Sequence, residues 1–135
     1  MFNSVKDHFF KKTLIILILI LPCVSFAIPL KMNKVELLNI SEHSRLVFSF
    51  TGPFMYHIVP TSHGSKLTID FRGTELATSL SQVKFSHSLV KAIQSRTVSP
   101  KTLQIIIALH QATITKPFVQ KPRGRFGYRL VVDLL

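Results

Sequence analysis

Leu67-Thr68-Ile69-Asp70-Phe71 and Leu130-Val131-Val132-Asp133-Leu134 repeat one pattern in the two halves of the chain, with apolar residues at every second position and an aspartate fourth. Side chains that alternate with a period of two mark a strand with one buried face. The same alternation runs through Leu46, Phe48 and Phe50, through Leu103, Ile105, Ile107 and Leu109, and through Tyr128, Leu130, Val132 and Leu134. Shorter strands are expected at Val35 to Ile40, Met55 to Val59, Val90 to Thr97 and Ile114 to Val119. Turn chemistry falls between these runs, at Thr51-Gly52-Pro53, Ser62-His63-Gly64-Ser65, Ser99-Pro100-Lys101 and Pro122-Arg123-Gly124. Eight short strands with regular turns predict an all-β fold, a sandwich or a barrel. Only Glu75 to Gln82 lacks strand character, and it suits one helical turn.

The repeat extends beyond its first two stretches. Matching Leu46 to Leu103, Pro53-Phe54 to Pro117-Phe118 and Leu67 to Leu130 makes the second half's connection longer, with the excess around the basic Gln120 to Arg125 loop. A pseudo-twofold arrangement of two similar halves is expected, although alternation alone is common to all strands.

The first 27 residues read as an export signal. Lys6, Lys11 and Lys12 form a positive beginning, Leu14 to Leu21 an unbroken apolar run, and Ser25-Phe26-Ala27 a small-x-small cleavage site. An uncleaved anchor is disfavoured, because eight residues reach only about 12 Å of a bilayer core of about 30 Å, and Pro22 interrupts them. A lipid anchor on Cys23 is rejected because Pro22 precedes it. Cleavage after Ala27 is expected to leave one exported domain, residues 28–135. It contains no cysteine, so core burial alone must hold it together.

Of 17 basic and 6 acidic residues, all but Lys6, Lys11, Lys12 and Asp7 belong to that domain. An exported protein so basic meets anionic wall polymers and headgroups, and a nucleic-acid partner is not expected. The charge is spread except for Lys116, Lys121, Arg123, Arg125 and Arg129, which cluster.

Catalysis has little to work with. His43, His57, His63, His87 and His110 show no metal-ligand spacing, no G-x-S-x-G turn presents a serine, and Cys23 leaves with the signal. No metal and no cofactor are expected. Binding surfaces are better supplied: Thr68, Asp70 and Arg72 in one half and Arg129, Val131 and Asp133 in the other suit hydrogen bonding to a saccharide or peptide. Cross-strand charge pairing on a solvated face accounts for the same residues. Tyr56, Phe126 and Tyr128 are candidates for stacking on sugars or for the core, Tyr128 for the core first.

Arg45-Leu46-Val47-Phe48-Ser49-Phe50-Thr51-Gly52-Pro53, Lys66-Leu67-Thr68-Ile69-Asp70-Phe71 and Gly127-Tyr128-Arg129-Leu130-Val131-Val132-Asp133-Leu134, in this order, resemble the AMIN domain. This is the N-terminal module of periplasmic N-acetylmuramoyl-L-alanine amidases, found also in pilus secretins. The resemblance runs from Lys34 to Leu134. It implies a β-sandwich of two similar four-stranded sheets that is non-catalytic, binds peptidoglycan and directs its parent protein to the division site or the envelope. The chain departs from the pattern at Gln94, where an arginine is usual, and at Gln104-Ile105-Ile106-Ile107-Ala108-Leu109, where Arg-Val-Val-Leu-Asp-Leu is usual. It ends at Leu135, so no ligand of an amidase's zinc domain can be carried over. Expected ligand-binding residues are Arg45, Asp70, Arg72, Arg96, Arg129 and Asp133. The alternatives are the targeting half of a truncated or split amidase, and an interaction module partnering division-site proteins or an outer-membrane secretin.

Overall fold

The structure, a computed structural model, describes Pro22 and residues 28–135. The expected export signal therefore lies outside the described residues. No helix among them is long and apolar enough to cross a membrane.

The described residues form nine strands: β1 (Leu30–Ile40), β2 (His43–Phe50), β3 (Tyr56–Val59), β4 (Lys66–Arg72), β5 (Thr74–Leu76), β6 (Val90–Ser99), β7 (Thr102–Leu109), β8 (Thr115–Gln120) and β9 (Tyr128–Leu134). They form a five-stranded sheet, ordered β5-β1-β2-β9-β8, and a four-stranded sheet, ordered β3-β4-β7-β6. We call these sheet A and sheet B. Their inner faces share one core, in which Leu46, Phe48, Leu130, Val132 and Leu134 of sheet A meet Ile69, Phe71, Ile105 and Ile107 of sheet B. Phe48 lies 5.8 Å from Phe71 across that core, centroid to centroid. The expected all-β sandwich is the observed one.

The fifth strand of sheet A is the element that alternation did not reveal. Three residues are too few to show a period. Gly73, with φ +64, turns the chain out of β4, and β5 then runs parallel to β1, Leu30 opposite Thr74. A side chain at Gly73 would have to adopt a left-handed backbone that only glycine enters freely. Beyond β5 the expected helical turn is present as one 3-10 turn, Leu80–Gln82.

Strand pairing makes the internal symmetry explicit. The hairpins β1-β2 and β8-β9 build sheet A, while β3-β4 and β6-β7 build sheet B. Exchanging the halves, β1 for β6 through β4 for β9, maps one sheet onto the other. The halves are therefore interleaved, and their contacts are the central pairs, β2 with β9 and β4 with β7. Register corrects the expected match. Arg45 pairs with Asp133, and Gln104 pairs with Asp70, so Arg45 is equivalent to Gln104 and Leu46 to Ile105, not to Leu103. A slip of two residues keeps every side chain on its face, so hydrophobic alternation cannot detect it. Likewise Tyr56 opposite Phe71 matches Thr115 opposite Leu134, which makes Ile58, not Pro53, the counterpart of Pro117. The excess length of the second half still falls where expected, in the connection from β8 to β9.

Candidate functional site

Outward-facing side chains on the two sheets line up in cross-strand rows. On sheet A one row reads Leu38, Arg45, Asp133, Lys116, and on sheet B its symmetry mate reads Arg96, Gln104, Asp70, His57. The six expected binding residues thus divide between opposite faces: Arg45, Arg129 and Asp133 on sheet A, and Asp70, Arg72 and Arg96 on sheet B. They do not form one site.

On sheet A, Arg45 grips Asp133 in a fork: Nε donates to Oδ1 at 2.7 Å and Nη2 to Oδ2 at 3.1 Å. Two parallel charge-assisted bonds fix both side chains. The guanidinium also lies 5.8 Å from the Phe118 ring centroid. These bonds hold the Asp133 carboxyl below its ordinary value against the opposing effect of burial, with the charges of Arg45, His43 and Lys116 adding to the lowering. The same bonds raise Arg45. A carboxyl whose folded pKa is depressed contributes stability that is complete above its unfolded value and is lost as pH falls through the folded one. Asp133→Asn is therefore expected to melt below the native chain at about pH 6, with the gap narrowing at about pH 2.5 as the carboxylate takes up protons. Thermal melts at both pH values check this; an equal gap at both would remove the ion pair as its cause.

On sheet B the same place is occupied by a relay. Gln104 Nε2 donates to Asp70 Oδ1 at 2.8 Å, and Arg96 Nη2 donates to Gln104 Oε1 at 2.8 Å. An amide both donates and accepts, so Gln104, 8 % exposed, joins two groups that an arginine there would contact only as a donor. From sequence this glutamine reads as the loss of an arginine. Its partners become visible only once β6 lies beside β7. Arg72 is exposed and borders a shallow depression of about 350 Å³ with Met55, Tyr56, His57, Asp70 and Thr102.

The next row of sheet A runs Glu36, Val47, Val131, Phe118. Val47 and Val131 are buried although they lie outside the central core. Over one end of this face stands the β8-β9 loop. Arg123 and Phe126 exchange backbone bonds, N to O at 2.9 and 3.0 Å, closing a tight turn in which Gly124 takes φ +58. Glycine first among the two central residues, with positive φ, suits a type II′ hairpin turn. Phe126, 48 % exposed, has the Arg129 guanidinium 4.4 Å from its centroid and that of Arg125 at 5.4 Å. Cations near an aromatic ring are attracted by its quadrupole. Two grooves share these three residues. One, of about 670 Å³, also holds Gln120, Lys121, Arg123 and Gly124. The other, of about 570 Å³, holds Lys34, Glu36, Val47 and Ser49 among its lining. Lys34 and Glu36 are themselves ion-paired.

Of the three aromatic candidates, Tyr56 and Tyr128 pack against the core, Tyr56 also bordering the sheet B depression, and Phe126 stands in the sheet A grooves. Sequence reading found the basic cluster and Phe126 but not Lys34 and Glu36, which join them only through the β1-β2 and β2-β9 pairings. Among the described residues no group of three or more His, Cys, Asp or Glu is placed to hold a metal ion.

Comparison with known proteins agrees with this architecture. The family model of the AMIN domain matches residues 34–134. The N-acetylmuramoyl-L-alanine amidase AmiC of Neisseria meningitidis serogroup B is 27% identical over 96 residues, which is 68% of this chain and 23% of the amidase. The chain thus spans about a quarter of the length of the curated relative it matches.

Proposed function

The chain belongs to the AMIN domain family, and from that premise we propose that it is an exported, non-catalytic periplasmic module that binds peptidoglycan and positions cell-wall amidase activity at the division site. The observation that carries the choice of surface is the pair of grooves on sheet A, where cations, an exposed ring and hydrogen-bonding side chains converge. The opposite face carries the Asp70-Gln104-Arg96 relay, Arg72 beside a depression of about 350 Å³, and a second depression of about 280 Å³ lined by Lys66, Gln94 and Ile106, both smaller than the grooves on sheet A. Sheet A is therefore the wall-binding face, with Arg129 at its centre, while Arg45 and Asp133 hold one edge of it rigid.

Co-sedimentation with purified sacculi at about 0.15 M salt, where charges farther apart than about 8 Å are largely screened, tests this. The folded chain is expected in the pellet, and a folded chain left in the supernatant refutes the proposal. Arg129→Gln should lower retention about fivefold, the loss of one charge-assisted contact, and Arg72→Gln should leave it unchanged. The reverse result would move the site to sheet B.

The amidase relative favours a second reading, in which this module is the targeting part of an amidase whose catalytic domain is supplied separately. Stable co-purification with a zinc amidase supports that reading, and normal wall binding in a cell lacking every such amidase would leave it without a purpose.

A further inference from the structure

The symmetry of the fold singles out the β8-β9 loop. The hairpin equivalent to it, β3-β4, closes through Pro60 to Ser65, which is shorter and holds no lysine or arginine. Both connections lead into a cation, Lys66 in one and its counterpart Arg129 in the other, but only the β8-β9 connection itself carries cations, Lys121, Arg123 and Arg125, all exposed. Like charges gathered on one short loop repel one another, so the cluster works against the folded state unless a counter-charge arrives.

The arrangement also limits the ligand. Cations line grooves on both sides of Phe126, so a ligand that satisfies them carries several oxyanions along a chain crossing that ring. Glu36 stands in the second groove too, but Lys34 already neutralises it, so the free charges a ligand meets there are the guanidinium groups. A membrane surface fits less well. Guanidinium groups flank the Phe126 ring, and insertion into acyl chains would strip them away or bury their charge.

Resting on the peptidoglycan reading above, we propose that the β8-β9 loop recognises the stem peptides of the wall through their carboxylates, not the glycan strand. Wall glycan in intact sacculi is built from N-acetylated sugars without free acid groups, whereas each stem peptide bears carboxylates and an amine. Arg125 and Arg129 take the carboxylates on either side of Phe126, and Arg123 and Lys121 extend the contact in the first groove.

The full chain is to be sedimented with untreated sacculi and with sacculi whose carboxyl groups have been amidated, with soluble stem tetrapeptide or an N-acetylglucosamine oligomer as competitor. Retention is expected to fall at least about fivefold on amidated sacculi, and the tetrapeptide but not the sugar oligomer should compete. Arg123→Gln/Arg125→Gln, both on the exposed loop, should lower retention about tenfold with a melting temperature no lower than that of the native chain. Equal retention on amidated sacculi, or full retention of the double variant, overturns the inference while the peptidoglycan reading stands. So does binding to phosphatidylglycerol vesicles that the double variant loses while it keeps its hold on sacculi. A native chain not retained on untreated sacculi overturns the peptidoglycan reading itself.

Discussion

Fragments 28–83 and 84–135 are each expected to be unfolded alone and to form the native sandwich when mixed. The cut falls after the 3-10 turn and before β6, where no strand is broken. Each fragment then owns two hairpins, but they belong to different sheets: β1-β2 and β3-β4 in the first, β6-β7 and β8-β9 in the second. In an isolated fragment every hairpin would have its inner edge open; three would be two-stranded ribbons, which are marginal in water, and β1-β2 would gain only the three residues of β5. Mixing restores the β2-β9 and β4-β7 pairings at the centre of each sheet, together with the shared core. Dispersed amide spectra and a cooperative melt should appear only in the mixture. A fragment that melts cooperatively as a monomer would show that its half is an autonomous unit and that interleaving is not what stabilises the fold.

Phe71→Ala is expected to cost about 3–5 kcal/mol, measured as the shift in urea unfolding free energy. Phe71 is fully buried, and its ring centroid lies 5.8 Å from Phe48, 5.2 Å from Phe50 and 6.5 Å from Phe54. It is the buried sheet B centre of an aromatic cluster that also takes in Phe48 and Phe50 of β2, Phe54 after it and, 6.4 Å from Phe54, Tyr56 of β3. Truncation would leave a cavity with β-sheet backbone on both sides, which relaxes little. Domains of this size are stable by about 5–15 kcal/mol in all, so this one truncation removes a fifth or more of the total, up to nearly all of it in a marginal domain. Phe126→Ala is the matched control: its ring is half exposed, and its loss should cost within about 0.5 kcal/mol. A Phe71 variant as stable as the control would mean that the two sheets are not locked through this cluster.

Much of the fold was legible because strands facing a single core write their orientation into every second residue. Leu67, Ile69 and Phe71, with Leu130, Val132 and Leu134, are all buried as their alternation requires. Less legible were quantities that alternation does not encode. The register between β2 and β7 slipped by two residues without disturbing any hydrophobic position. The short β5 was hidden because its pairing with β1 depends on where Gly73 sends the chain. At the surface, Asp133 proved to have a cross-strand partner in Arg45, as solvated-face pairing anticipates, while Asp70 and Arg96 meet only through Gln104.

By itself the sequence determined an all-β chain of two similar halves, a surplus of positive charge gathered between Lys116 and Arg129, and a resemblance that the family match confirms. Local chemistry suffices for these, since period, turn residues and charge are properties of neighbours along the chain. Only the tertiary structure decided that the halves interleave, that the echoed aspartates Asp70 and Asp133 lie on opposite outer faces, and that Lys34 and Glu36 join the basic loop. The reason is physical: which strands pair, and in what register, is set by burial of both halves together, a long-range condition that no single segment carries.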